Sequence, residues 1–223
     1  NRNVGSSTAT SSYDVTAAFD RQNPAISTSN YETRHNFTAA ISWREEFFED
    51  YATRLGIYFR ARSGRPYSLT FDGGGDFNDS SSGSDNALVY VPSGLNDPNV
   101  SPLSNSDAVQ SLINYVSASG CGFTSGASIR RNTCRNPWAY DLDLRFSQEL
   151  PFLGSLTGLV DDRIELFADF DNFLNFIDSS ANRVKFRSQF VDLVDVDVDD
   201  EGRYLISGFH PDADFFVATS SSA

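Results

Sequence analysis

Residues 51 to 72 read YATRLGIYFRARSGRPYSLTFD, and they sort by parity over the whole stretch. Leu55, Ile57, Phe59, Ala61, Tyr67, Leu69 and Phe71 fall on odd positions, and Arg54, Tyr58, Arg60, Arg62, Ser68 and Thr70 on even ones. Side chains on a strand alternate faces with period two, so this spacing predicts a single long strand with an aliphatic and aromatic face and an arginine-bearing face. At roughly 3.3 Å per residue such a strand spans about 70 Å, against about 3–10 residues for strands of ordinary soluble sheets. Length and two-sidedness together fit a strand of an outer-membrane barrel, where about 9–11 tilted residues cross the hydrocarbon with apolar groups outward. An edge strand of a large soluble sheet is the alternative.

The same alternation recurs on either side. Phe37, Ala39, Ile41 and Trp43 oppose Thr38, Ala40, Ser42 and Arg44 from Asn36 to Phe47, and Glu45 to Asp50 makes a tight turn into the long strand. Further on, Trp138, Tyr140, Leu142, Leu144 and Phe146 oppose Asp141, Asp143, Arg145, Ser147 and Glu149. Ile164, Leu166, Ala168 and Phe170 then oppose Glu165, Phe167, Asp169 and Asp171. Four long antiparallel strands are therefore expected near 36–48, 51–72, 137–152 and 163–176. Short connections after Phe48 and Phe152 alternate with long ones at 1–35, 73–136 and from 177 onward, the asymmetry of periplasmic turns and extracellular loops. If consecutive strands pair, Arg60 and Arg62 face Asp141 and Asp143, and Arg145 faces Glu165 and Asp169. Trp43, Phe47 and Phe48 near one end and Trp138 and Tyr140 near the other stand where interfacial aromatic girdles belong.

Composition narrows the classes. The net charge of −13 and a single lysine, Lys185, argue against nucleic acid as partner, because phosphate binding rests on clustered cations. No run approaches 18 apolar residues, so membrane-spanning helices are excluded, while 19 Phe suit a surface apolar in one band. The chain opens on NRNVGSSTATSS without Met, and it reads as a fragment of a longer protein. No G-x-S-x-G or H-E-x-x-H motif occurs, and His35 and His210 are the only histidines, so no enzyme and no cofactor is expected. The carboxylates of Asp141 and Asp143, opposite arginines, read as ion-paired rather than as acid and base.

Residues 73–136 are too long for an ordinary connection in a compact domain. Within them Ser106 is expected to cap a short helix from Asp107 to Val116, with Val109, Leu112, Ile113 and Val116 at helical spacing. Cys121 and Cys134 follow, 13 positions apart in a polar stretch; in an oxidising compartment they are expected to form a disulfide, the alternatives being free thiols or half a metal site. Asp195, Asp197 and Asp199 have the first spacing of a calcium loop, but Gly202 falls two places late and no Glu follows at the twelfth position. A hairpin of strands 186–198 and 203–209 is expected there instead, with no metal, and DADFFVATSSSA at the end is not expected to form a membrane strand.

Taken together, SNYETRHNFTAAISW, RSGRPYS, RNTCRNPWAYDLDLRFSQELP and RIELFADFDNFLNF resemble the C-terminal part of the barrel of TonB-dependent outer-membrane receptors, in particular the Oar-like group, over most of 29–176. The resemblance implies an all-β fold, an antiparallel meander forming part of a transmembrane barrel in the bacterial outer membrane. It divides the chain into loop 1–35, hairpin 36–72, long extracellular loop 73–136, hairpin 137–176 and loop 177–223, with the final strand missing. It also implies uptake of a scarce ligand through a 22-stranded barrel with an N-terminal plug, energised by the TonB complex. Plug, TonB-contacting segment and the other strands lie outside this sequence, and the surrounding partner is membrane lipid.

On that reading Tyr90, Asn96, Asn114, Tyr115, Arg130, Arg131 and His210 are candidate ligand contacts at the loop tips. Arg54, Tyr58, Arg60, Arg62, Asp141, Asp143, Arg145, Glu165 and Asp169 line the lumen. The acidic loops disfavour an anionic ligand unless the arginines cluster. A soluble or surface-exposed β-rich binding module, of adhesin or carbohydrate-binding type, is the other class that the sequence leaves open.

Overall fold

The computed structural model describes residues 16–20, 23–48, 50–72, 86–152, 157–158, 162–178, 183–187, 189–211 and 216–219. Its strands form mainly antiparallel sheets, and no helix is long and apolar enough to cross a membrane. The chain divides into two compact units. One comprises residues 1–32, 64–136 and 186–216, and the other 33–63, 137–185 and 217–223.

The second unit holds the long strands. Strands β1 (Asn36–Phe48) and β2 (Tyr51–Arg62) form the first hairpin of the sheet. In the first unit, β3 (Pro66–Asp72), β4 (Tyr90–Val91), helix α1 (Ser106–Ala118), β5 (Ala127–Ser128) and β6 (Cys134–Arg135) follow in the chain. The chain then re-enters the second unit as β7 (Ala139–Pro151) and β8 (Arg163–Phe170). These pair antiparallel in the order β1-β2-β7-β8, a meander in which each strand lies beside its predecessor in the sheet. The β1–β2 connection turns through Asp50, whose φ of 67° is left-handed, a conformation that Asp tolerates better than most side chains.

The single long strand expected over 51–72 is two strands. Pairing with β1 runs out at Asn36 opposite Arg62, the Ser63 N–H donates to the His35 carbonyl, and Ser63-Gly64-Arg65 then carries the chain into the first unit. Parity continues across that three-residue break, and this is why the alternation concealed it.

In the first unit, β3 lies between β6 and β10 (Phe190–Val198), and β10 in turn pairs with β11 (Tyr204–Phe209), giving the order β11-β10-β3-β6. The β3–β10 pairing is parallel, with Val191 opposite Leu69. Residues of β3 from Pro66 to Phe71 are all buried, on both faces. That explains how a strand that alternates Leu69 and Phe71 with Ser68 and Thr70 can sit centrally: its polar side chains are bonded, Thr70 to Asp192 at 2.5 Å and Ser68 to Asn132 at 3.1 Å. The core gathers Leu69, Val89, Leu112, Leu193 and Ile206, each fully buried. The hairpin expected at the acidic stretch is β10–β11, turning at Asp199 and Gly202, and among the described residues no group of His, Cys, Asp and Glu could hold a metal.

Helix α1 contributes Ala108, Val109, Leu112 and Val116 to that core. Its N-cap is Asn105 rather than Ser106: the Asn105 side chain accepts from the Asp107 and Ala108 N–H groups, and its own N–H donates to the Ile206 carbonyl at 2.8 Å. Asn caps as well as Ser does, and the bond to β11 decides between them. After the helix, the sulfurs of Cys121 and Cys134 lie 2.02 Å apart, at disulfide distance. Replacing both by serine is expected to lower the stability of the oxidised chain by about 3 kcal/mol, the loop-closure value for a span of this length. Chemical denaturation of the variant against the oxidised parent measures it, and a loss below about 1 kcal/mol would show that the crosslink does not hold this unit together.

The remaining strands are β9 (Arg183–Phe186) and β12 (Phe216–Thr219), which pair with each other. The stretch DADFFVATSSSA, not expected to form a membrane strand, lies outside the described residues except for β12.

Candidate functional site

Two arrangements of functional side chains emerge, one in each unit.

In the second unit the register aligns the apolar residues in rows across the sheet: Ala39-Phe59-Leu142, Ile41-Ile57-Leu144-Phe170, and Trp43-Leu55-Phe146-Ala168. This face is open. Phe37 and Ile41 are each 60% exposed and Leu166 57%. At the end where β1 begins, His35, Phe37, Trp138 and Tyr140 stack their rings at centroid separations of 5.9 to 6.4 Å.

The opposite face carries Arg54, Tyr58, Arg60, Arg62, Asp141, Asp143, Arg145, Glu165 and Asp169, as their register positions require. Arg60 stands opposite Asp141 and Arg145 opposite Asp169. The ion pairs differ in part from those that strand order alone suggests. Arg145 reaches Asp169 at 3.6 Å, but Glu165 pairs with Arg54 at 3.0 Å. Arg54 also binds Glu149, which Arg163 approaches at 3.4 Å. Arg60 donates to Asn36, and Asp143 accepts the Asn172 N–H. The Arg54–Glu149–Glu165–Arg163 group was not legible beforehand, because pairing along a diagonal depends on side-chain reach rather than on register.

In the first unit a cavity of about 680 Å³ opens between residues 17–20 and 23–27, β4–β5 and β11. Strand pairing sets Tyr90 beside Ser128, and the turn before β5 needs Gly126, whose φ of +76° is left-handed and whose N–H donates to the Val91 carbonyl. Tyr204 enters from β11, its backbone tied to Asn99 and Ser101, and stacks on Tyr90 at 4.9 Å and on Phe71 at 5.5 Å. Leu88 and Ile129 complete a buried wall, while Phe19 and Ile26 stand exposed. Burial raises the hydroxyl pKa values of both tyrosines above the ordinary phenol range.

Tyr90 is anchored rather than free at a loop tip. Its hydroxyl donates to the buried Asp97 carboxylate at 3.0 Å and accepts from Asn99 at 2.9 Å. Asp97 also receives the Ser93 N–H and hydroxyl and the Asn99 N–H, at 2.7 to 2.9 Å. Burial pushes the Asp97 carboxyl up, and those donors outweigh it, leaving its pKa below the ordinary value. The pocket therefore presents the Tyr90 ring while the hydroxyl is engaged.

The cationic side of the cavity is Arg130 and Arg131. Arg131 is half-buried and its Nε donates to the Ser27 hydroxyl at 2.6 Å. The neighbouring Asn132, left-handed at φ 61° and buried, fixes this corner: it bonds Ser68, the Thr28 carbonyl and Asn30. Asp97 and Asn132 are not legible in the sequence because each lies in polar, aperiodic surroundings that resemble solvated loop, and Tyr204 lies in an expected strand whose partners the sequence does not reveal.

Of the seven candidate contacts, the cavity gathers Tyr90, Arg130 and Arg131. The others lie elsewhere. Asn96 is exposed in the turn before Asp97, and Asn114 is exposed on α1, accepting from Gln110. Tyr115 packs edge-on against Phe209 and accepts from Arg187, and His210 pairs with Asp195 at 2.9 Å. Comparison with protein-family models, curated proteins and solved structures returns no match for this chain.

Proposed function

We propose that the chain is a piece of the wall and outer loops of a bacterial outer-membrane receptor of the TonB-dependent kind, taking up a scarce ligand. The observation that carries this reading is the open apolar face of the β1-β2-β7-β8 sheet. A row such as Ile41-Ile57-Leu144-Phe170, exposed at Ile41 and Phe170 and half-buried at Ile57 and Leu144, is unfavourable in water and favourable against acyl chains. The dimensions agree. From Phe37 to Phe47 the strand runs about 34 Å, which at a tilt of about 45° covers about 24 Å of height, close to the apolar band of such barrels.

The other face, with its arginines and carboxylates in cross-strand pairs, suits a wet lumen. The order and spacing of the motifs in 29–176 supply the family. Lipid is then the partner of one face, and the plug, the remaining strands and the TonB complex are met by parts of the receptor outside this chain.

Cysteine labelling tests the reading. In the receptor inserted in a bacterial outer membrane, a cysteine replacing Tyr58, on the charged face, is expected to react with a water-soluble maleimide at least about tenfold faster than one replacing Ile57, on the apolar face. Equal rates, or recovery of the protein in the soluble fraction, would favour the binding-module class instead.

A further inference from the structure

We propose that the cavity of the first unit binds a small organic carboxylate, its anionic end held by Arg131 with Arg130, and its aromatic or aliphatic body lying against Tyr204 and Tyr90. The proposal would name the ligand class of the receptor reading, yet it rests on the cavity's own geometry.

The volume of about 680 Å³ is that of small-molecule sites, and the walls are of the usual kind: mostly apolar, with few polar groups. The charge at the wall is the unusual feature. Arg131 is half-buried and spends its Nε on a neutral hydroxyl, and among the described residues no carboxylate pairs with its two terminal nitrogens. Burial pulls its pKa below the ordinary arginine value, with no neighbouring carboxylate opposing the shift.

A guanidinium partly withdrawn from water without a counter-charge is destabilising. In a chain of net charge −13, where carboxylates outnumber cations, the lack of a carboxylate partner among the described residues is a property of this site rather than a shortage of acids. The one acid of the described wall, Asp20, is exposed and accepts the Asn23 N–H in its own turn. Asp97, behind Tyr90, is saturated by four donors.

What restores the balance is an anion delivered by the ligand. A carboxylate matches the planar fork of arginine with two parallel hydrogen bonds. A neutral ligand such as a sugar would leave the charge unpaired. A phosphate ester, doubly charged and strongly hydrated, is a poorer match for so apolar a cavity. The stacked faces of Tyr90 and Tyr204, 4.9 Å apart at 21°, favour a flat body beside the anion.

The experiment is titration of the full chain, in a non-ionic maltoside, with 2-naphthoate, its neutral primary amide and 2-naphthyl phosphate. The acid is expected to bind about tenfold tighter than the amide, the effect of one charge-assisted pair. Arg131→Gln is expected to erase that preference, and Arg130→Gln, at an exposed position, to reduce it. Equal affinity for acid and amide, no saturable binding of the acid, tighter binding of the phosphate, or an undiminished preference in R131Q would each overturn the proposal. Should R131Q fail to fold, the acid and amide comparison on the parent chain and the R130Q variant still decide. None of these readouts depends on the sheet lying in a membrane, so this proposal and the receptor reading fail separately.

Discussion

Replacing Asp97 by alanine is expected to destabilise the first unit by about 4 kcal/mol, because it strands the donors that converge on one buried carboxylate. The buried Tyr90 hydroxyl and the part-buried Ser93 and Asn99 N–H groups all lose their acceptor; a buried donor left without one costs about 1–3 kcal/mol, and the two part-buried N–H groups cost less because water reaches them. Asp97→Asn keeps one oxygen and is expected to lose about half as much. Denaturant unfolding followed by tyrosine near-UV dichroism measures both, and a loss under about 1 kcal/mol for the alanine variant would show that the network is dispensable.

The same carboxylate gives a pH signature. Its folded pKa is depressed, so its contribution is complete above the ordinary aspartate value of 3.8 and disappears as pH falls through the lower folded value. Acid unfolding of the parent should therefore steepen below that point, and the alanine variant should lack this component.

If the apolar face of the sheet meets lipid as proposed, Leu144→Arg is expected to abolish membrane insertion while leaving export intact. Leu144 lies in the middle of the row Ile41-Ile57-Leu144-Phe170, and an arginine facing acyl chains near the bilayer midplane costs about 2–4 kcal/mol. Arg145→Leu, one residue away on the charged face, breaks the bond to Asp169 but leaves the lipid face intact, and should insert normally. Resistance of the folded receptor to unfolding in cold detergent, followed by its gel mobility with and without heating, separates the two. Normal insertion of Leu144→Arg would sink the membrane assignment of this face.

The two sheets differ in how far the sequence reveals them. Where one face is open and the other charged, parity reports the face of each residue: the strands expected near 36–48, 137–152 and 163–176 are found at 36–48, 139–151 and 163–170, the last stopping short because a helical turn, Phe173–Ile177, takes its place. Where a strand is buried on both sides, parity still exists, as in Leu69 and Phe71 against Ser68 and Thr70, but it no longer reports exposure, and in sequence β3 reads as a continuation of β2. Its partner is some 120 residues away, and no local signal records a pairing at that distance. The cavity suffers the same fate. Arg130 and Arg131 are visible as adjacent cations, whereas Tyr204, Asn132 and Asp97 acquire their roles only when three separated segments meet.

The parallel register of Val191 on Leu69 has a consequence for the order of events when the chain is made. Until residues 190–198 have emerged, β3 has no neighbour on that edge, and its N–H and C=O groups remain a bare template for another chain. Closing so long a loop is entropically costly, and a parallel pairing offers no short hairpin to nucleate it. The first unit thus completes its core only once residues 190–198 have been made, after the strands of both long hairpins are available. During that interval the β3 edge depends on a chaperone, or on speed, to escape aggregation.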